Sequence, residues 1–204
     1  HYVDAATTNP AVGRFCNTTP LTFPNAINAS GLPYPTRVNV SGLAGTVQNV
    51  TLALNGLSHQ FPDDLDMMLT GPNGISLIAF SDVGGSNAVT NLNLVLDSSA
   101  ATSLPDASAL SSGNFRPADF QAFTDTFASP APTTNVFSAS STSFTTAYGN
   151  SNPNGIWTLW PTNDSAGQQG GGSLSGGWCV NVTMNQPQLT VSKTHVGNFA
   201  QGQV

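Results

Sequence analysis

The sequence predicts an all-β domain, a sandwich of two sheets built from about eight short strands. Only 7% of the 204 residues are charged and glutamate is absent, so most charged helix formers are missing. Valine, threonine and phenylalanine, which favour strands, stand between frequent glycine, proline, asparagine and serine, which favour turns. Apolar residues make up 39% of the chain in short alternating runs, which argues for a packed core rather than disorder.

Residues 1–35 are expected to form an N-terminal arm tied to the main domain, because small, polar and turn-forming residues dominate there. The main domain then spans residues 36–185. Its first strands are Thr36–Val40, which alternates with period two, and Thr46–Leu54, which places leucines 52 and 54 on one face.

The stretch from Gly56 to Gly85 reads as a complete hairpin. A strand is predicted over residues 64–69 and its partner over residues 75–80. Between them lies Gly71-Pro72-Asn73-Gly74, in which proline presets a negative φ while asparagine and glycine tolerate a positive one. The loop 81–85 follows the second strand.

Three later segments complete the predicted sheets. Residues 90–97 place alternate leucines on one face, and strands are also predicted over residues 156–160 and 178–184. The long stretch 98–144 is expected to hold short strands or turns pinned by its phenylalanines. Eight side chains are predicted to fill the core: Leu52, Leu54, Leu65, Leu69, Leu92, Leu94, Trp157 and Trp178.

The charge balance limits the classes of partner. The net charge is −6 and the chain has four basic residues in total, so no phosphate-binding face for nucleic acid is expected. The same shortage argues against anionic membrane surfaces, and no apolar run of about 18 residues predicts a membrane span. An acidic chain of this kind is compatible with hard cations.

The two cysteines, Cys16 and Cys179, lie near opposite ends of the main domain. In a cytosolic protein they would be two inert thiols, whereas in a secreted protein they would form one bridge closing almost the whole domain. The composition is typical of an extracellular chain, which favours the bridge and a secreted or cell-surface location.

Two sequence blocks carry a family resemblance. The first is His59, Asp64-Leu65, the turn Gly71–Gly74, and Gly84-Gly85; the second is Gly155-Ile156-Trp157-Thr158-Leu159, Asn163-Asp164 and Gly177-Trp178. In this order the blocks resemble the P-domain of subtilisin-like proprotein convertases.

The resemblance implies a jelly-roll sandwich that stabilises a neighbouring domain, in a family of which some members bind calcium. Family members often carry a further acid in the loop before the last strand, where this chain has Gln168 and Gln169. The resemblance therefore does not carry a metal site over from that loop.

Four aspartates around the hairpin form a candidate calcium site: Asp63, Asp64, Asp66 and Asp82. Asp64 and Asp66 project to one face of a regular strand, and Asp82 follows the antiparallel partner. Crowded carboxylates repel one another, and calcium, which takes six to eight oxygen ligands, relieves that repulsion. The alternative is that these acids cap turns and keep one end of a sheet solvated.

Other chemistry finds less support in the sequence. His59 lacks the partner ligands that zinc requires and is expected to be a hydrogen-bonded residue at the core edge. The Gly-x-Ser-x-Gly nucleophile motif is absent, and no enzyme is predicted. Trp157 and Trp178 are expected in the core, and Trp160 is the only tryptophan that could offer an exposed platform for a sugar, with a core role the favoured interpretation.

The sequence thus predicts a non-catalytic extracellular module of a larger secreted or surface protein, whose partners are neighbouring domains of the same polypeptide or a surface protein or glycan. The alternatives are a carbohydrate-binding or adhesion module and, third, a glycan-cleaving enzyme. Residues 186–204 are expected to be a linker and the start of a following β-domain, since residues 189–204 resemble the opening strand of repeated β-domains in bacterial surface proteins.

Overall fold

The computed structural model describes residues 11–121, 125–164 and 170–185 and forms a sandwich of two mixed β-sheets. The predicted all-β sandwich is confirmed. The described residues contain fourteen strands rather than about eight. Six of these strands have only two or three residues, which is too short for a period-two pattern to mark them in the sequence.

The first sheet is built around the long strand β5. Its members are β1 (Val12–Asn17), β2 (Leu21–Phe23), β5 (Thr46–His59), β8 (Val89–Asp97), β9 (Gly113–Phe115), β13 (Gly172–Leu174) and β14 (Trp178–Asn185). β5 pairs with β8, β13 and β14. Its register with β8 shifts across Gly56, whose φ of +73° favours glycine at this bulge.

The second sheet is built around the predicted hairpin. Its members are β3 (Ala29–Ser30), β4 (Thr36–Val40), β6 (Leu65–Thr70), β7 (Ser76–Ser81), β10 (Ala118–Asp119), β11 (Val136–Ser138) and β12 (Gly155–Asn163). The turn forms as expected: the Gly71 N–H donates to the Ile75 carbonyl, and Gly74 has a φ of +78°. A single turn of 3-10 helix, Pro62–Asp64, leads into β6.

The inner faces of the two sheets enclose the main core. Seven of the eight predicted core side chains are at most 1% exposed, and Leu92 is half-buried. Leu92 lies opposite Leu57, where the register of β5 and β8 is irregular. Both core tryptophans satisfy their indole N–H groups, Trp157 on the Pro153 carbonyl and Trp178 on the Thr36 hydroxyl.

The outer face of the second sheet is also covered. Met68, Ile78 and Trp160 form a second apolar cluster there, against which Tyr34 and Phe127 pack. The Tyr34 hydroxyl donates to the Ala128 carbonyl at 2.7 Å, which ties this cover down. Because β6 and β7 are buried on both faces, their sequences are nearly continuous apolar runs.

The stretch 98–144 contains short strands, as expected, and ends in the helix α1 (Phe144–Tyr148). Ser143 caps α1 by accepting a hydrogen bond from the Thr146 N–H. The phenylalanines do not all pin this stretch to the core: Phe120 and Phe137 are exposed. Among the described residues, no helix is long and apolar enough to cross a bilayer.

The predicted disulfide between Cys16 and Cys179 is present. The two cysteines are direct partners in the antiparallel pair of β1 and β14, at the edge of the first sheet. The predicted N-terminal arm is thus tied to the sandwich, and it contains a regular edge strand, β1. The predicted linker 186–204 and the two glutamines at 168–169 lie outside the described residues.

Candidate metal centre

A row of polar side chains crosses the outer face of the second sheet. Asp119 on β10 is the register partner of Ser81 on β7, and Asp66 on β6 is the partner of Thr162 on β12. In the hairpin, Met67 pairs with Phe80, which brings Asp66 and Ser81 to adjacent positions. A β-bulge before this pair turns Phe80 inward and Ser81 outward.

Seven aspartates interact electrostatically around this row, and the exposed Asp106 additionally raises the pKa of one of them, Asp63. The seven are Asp63, Asp64, Asp66, Asp82, Asp119, Asp125 and Asp164. The three arginines of the chain are placed elsewhere. Arg14 contacts the disulfide sulfurs, Arg37 lies on β4, and Arg116 donates to the carbonyls of residues 100 and 101. Within the described ranges, no basic side chain therefore offsets the negative charge of this cluster.

Three of these acids converge on one point. Asp66, Asp125 and Asp164 each offer a carboxylate oxygen, and the three oxygens lie within 4.8 Å of one another. Asp66 lies on β6, Asp125 lies in the chain that covers the outer face, and Asp164 directly follows β12. The Asp164 N–H donates to the Asp64 carbonyl at 2.9 Å, which fixes the chain beyond β12 next to the start of β6.

Asp66 is the most constrained member of this triad. Its side chain is 0% exposed, and neither carboxylate oxygen accepts a hydrogen bond from the described part of the chain. The neighbouring Ser81 hydroxyl lies 2.9 Å from an Asp82 oxygen and 3.1 Å from an Asp125 oxygen, and it has a single proton to donate. A buried, unsatisfied carboxylate is costly and requires a proton or a cation.

The pKa values of all three triad carboxyl groups are raised above their usual range. Burial raises the pKa of Asp66 well above its usual range, the Asp125 and Asp164 charges raise it further, and the neighbouring Ser81 hydroxyl offsets only part of this rise. Burial, with Asp119 and Asp82, raises the pKa of Asp125 to about 7. Burial, with Asp82 and Asp64, raises the pKa of Asp164 to about 6. In the part of the chain that the structure describes, no positive side chain pairs with the charged form of any of the three groups.

The donor set fits calcium. Two oxygens bound to one calcium at about 2.3–2.6 Å can lie at most about 5 Å apart, and the triad oxygens fall inside this limit. Three carboxylates supply three to six oxygen ligands, depending on whether each binds through one atom or two, and water can complete the shell. The described residues place no cysteine or histidine in this group, as a zinc or copper site would require.

The four sequence-predicted ligands occupy different positions. Asp66 belongs to the triad. Asp82 accepts hydrogen bonds from Ser81 and from the Gln121 side chain, so its carboxylate is already satisfied. Asp63 and Asp64 lie on the turn before β6 and interact with the cluster through charge, without forming a three-residue ligand group.

Asp125 and Asp164 were not among the predicted ligands. The only sequence signal for Asp164 was its place after Asn163 in the second motif block. Asp125 stands in the weakly patterned stretch 98–144 and offers no local signal. Asp125 reaches the site because the loop that carries it packs across the outer face of the second sheet. Asp164 reaches the site because β12 pairs with β6.

The other two residues considered as ligand or sugar contacts, His59 and Trp160, are buried. His59 is 2% exposed on β5, where its Nδ1 accepts a hydrogen bond from the Phe61 N–H, as expected for a core-edge histidine. Trp160 is 5% exposed, and its indole donates to the Thr70 hydroxyl at 2.8 Å. The favoured core role is therefore confirmed and Trp160 offers no exposed platform, because the chain from Phe127 onward covers it.

In comparisons with known proteins, the chain matches no protein-family model, and no curated protein matches its sequence.

Proposed function

We propose that this chain is a non-catalytic extracellular β-sandwich module of a larger secreted or surface protein, stabilised by one calcium ion bound to Asp66, Asp125 and Asp164. The observation that carries the proposal is the fully buried, hydrogen-bond-free carboxylate of Asp66 within reach of two further carboxylates. Calcium replaces the missing positive charge without requiring any of the three groups to bind a proton.

The ion has a structural role in this proposal. It joins the hairpin strand β6 to the end of β12 and to the chain that covers the outer face of the second sheet. These segments are distant in sequence, so the ion ties a non-local loop to the sandwich. Such binding stabilises the folded state in proportion to the logarithm of the free calcium concentration, since the unfolded chain does not assemble the site.

The extracellular part of the proposal is supported by the disulfide, which persists in oxidising compartments. The P-domain resemblance is supported by the positions of its motifs. The first block covers the hairpin of β6 and β7, and the second places Trp157 and Trp178 in the core. By this resemblance the partners are neighbouring domains of the same polypeptide. The carbohydrate-binding alternative lacks a tryptophan platform, because all three tryptophans are buried.

The test is calcium binding by the purified protein. The metal should appear in elemental analysis at one equivalent, and its removal with EDTA should lower the melting temperature. At about a hundredfold excess of calcium over Kd the stabilisation is about 2.7 kcal/mol, which for a chain of this size corresponds to roughly 5–11 °C. Magnesium, which prefers a tighter octahedral shell, should replace calcium poorly.

Two variants make the test specific. Asp66→Asn keeps the shape of the buried side chain and removes its charge, so calcium should no longer raise the melting temperature. Asp106→Asn, at an exposed aspartate outside the triad, should respond to calcium like the wild type. If the wild-type protein contains no calcium and melts at one temperature with and without it, the proposal is wrong.

A further inference from the structure

The outer face of the second sheet is covered by a short segment, residues 125–135, which we call the cover. Two of its side chains, Phe127 and Ala131, pack against the second apolar cluster. The three buried members of that cluster, Trp160 among them, are at most 5% exposed. The cover itself contains neither helix nor strand, and most of its residues are exposed, so its attachment to the sheet depends on a few contacts.

The two ends of the cover are held in different ways. The C-terminal end continues directly into β11, which pairs with β7, and the Ser76 N–H donates to the Asn135 carbonyl at 2.9 Å. At the N-terminal end, the Asp125 carboxylate contacts the Ser81 hydroxyl at 3.1 Å. That hydroxyl also lies 2.9 Å from an Asp82 oxygen and has a single proton to donate. The backbone therefore holds one end, whereas a side-chain carboxylate holds the other.

In the absence of a cation, charge acts against the N-terminal end. Asp119, Asp82 and Asp164 each repel the charged form of Asp125. Oxygens of Asp66 and Asp164 also lie within 4.8 Å of an Asp125 oxygen. Movement of Asp125 away from the sheet relieves this repulsion and returns buried carboxylates to water. The metal-free protein therefore favours an open cover.

A calcium ion at the triad reverses the sign of this interaction. The ion binds Asp125 together with Asp66 on β6 and Asp164 after β12, so it holds the N-terminal end of the cover against the sheet. When the cover opens, the ion loses one of its three carboxylates. Calcium therefore binds the closed form more tightly than the open form, and this difference in affinity is what shifts the equilibrium.

We propose that calcium controls the cover: with calcium bound the cover is closed over the apolar cluster, and without calcium its N-terminal end opens and exposes Trp160. This inference rests on the calcium site proposed above and adds regulation of a surface to it. The pairing of β11 with β7 persists in both forms and limits the movement to the cover. The calcium-free module thus presents an apolar surface that the calcium-bound module hides.

Fluorescence quenching by acrylamide, a neutral molecule, tests the exposure of Trp160. At about pH 8, above the Asp125 pKa of about 7, EDTA-treated protein should be quenched more strongly than calcium-loaded protein. Trp160→Phe should abolish this difference, because Trp157 and Trp178 are 0% exposed in the main core. The far-UV circular dichroism should stay the same, which separates opening of the cover from global unfolding.

A variant outside the calcium site tests the coupling between the ion and the cover. The Tyr34 hydroxyl donates to the Ala128 carbonyl of the cover at 2.7 Å. Tyr34→Phe removes this bond, so calcium must close a less stable cover and its Kd should rise about two- to tenfold. The matched control is Tyr148→Phe, which removes a 2.6 Å bond to the Leu69 carbonyl in the core and should leave the Kd unchanged.

The outcomes distinguish control of the cover from the calcium site itself. Suppose the protein binds one equivalent of calcium, but its quenching is the same with and without the ion, or the two tyrosine variants have equal Kd values. Calcium then does not control the cover, and this inference is wrong while the proposed calcium site stands. If the protein binds no calcium, both proposals are wrong.

Discussion

Calcium binding at the triad should release protons, and the number released should depend on pH. Calcium binds the deprotonated carboxylates, whereas burial and mutual repulsion favour their protonated forms in the metal-free protein. The folded-state pKa is about 7 for Asp125 and about 6 for Asp164, both above the value for an unfolded chain. The metal-free protein therefore loses stability as pH rises through this range, and calcium affinity increases over the same range.

The size of the effect follows from these values. At about pH 6.5, Asp125 is about three-quarters protonated and Asp164 about one-quarter, so the two together release about one proton when calcium binds. Asp66, whose pKa is raised well above its usual range, adds to this number. At about pH 8 the contribution of Asp125 and Asp164 falls to about a tenth of a proton.

Isothermal titration calorimetry measures this release directly. The observed binding enthalpy should differ between two buffers at the same pH by the difference in their ionisation enthalpies multiplied by the number of protons released. Asp125→Asn should reduce the release near pH 6.5 by most of one proton, and the exposed control Asp106→Asn should leave it unchanged. Equal enthalpies in both buffers, with calcium affinity independent of pH between 5.5 and 8, would refute the assignment of these carboxylates as ligands.

Two further predictions concern stability. Leu94 is 1% exposed and lies opposite Leu54 across β5 and β8, so Leu94→Ala should cost about 2–5 kcal/mol in urea denaturation; the exposed Val12→Ala should change stability by less than about 0.5 kcal/mol, and equal midpoints for both variants would contradict the packing. The Cys16–Cys179 bridge spans 163 residues, so replacing both cysteines with serine should cost up to about 4–5 kcal/mol; thiol titration of the denatured, unreduced wild type should detect no free thiol.

Much of the sandwich could be predicted because strand and turn signals are local. The period-two pattern marked β4, β5, β8 and β14, and the Gly-Pro-Asn-Gly turn marked the hairpin. The edge strand β1 escaped prediction because half of its side chains are exposed and its sequence mixes glycine, arginine and asparagine. Its pairing with β14 is a tertiary contact, which a local pattern does not encode.

Only the part of the candidate site that lies on a locally predictable element was predicted from the sequence. Asp66 was predicted because it lies on the hairpin, whose two strands bring their acids together within about twenty residues. Asp125 and Asp164 come from separate parts of the chain and meet Asp66 only when the second sheet forms and its outer face is covered. Which residues form such a site therefore depends on how distant segments of the chain pack together.

The sequence alone determined the all-β class, the central hairpin and most of the core, because alternation and turn residues are signals within short segments. It also determined the disulfide, because a chain with two cysteines allows only one pairing. Tertiary structure alone decided which aspartates share one point, which tryptophan is covered and which carboxylates are buried without a partner. Those outcomes depend on sheet order and on a loop packed across a sheet, where burial removes water from groups that the sequence shows only as polar.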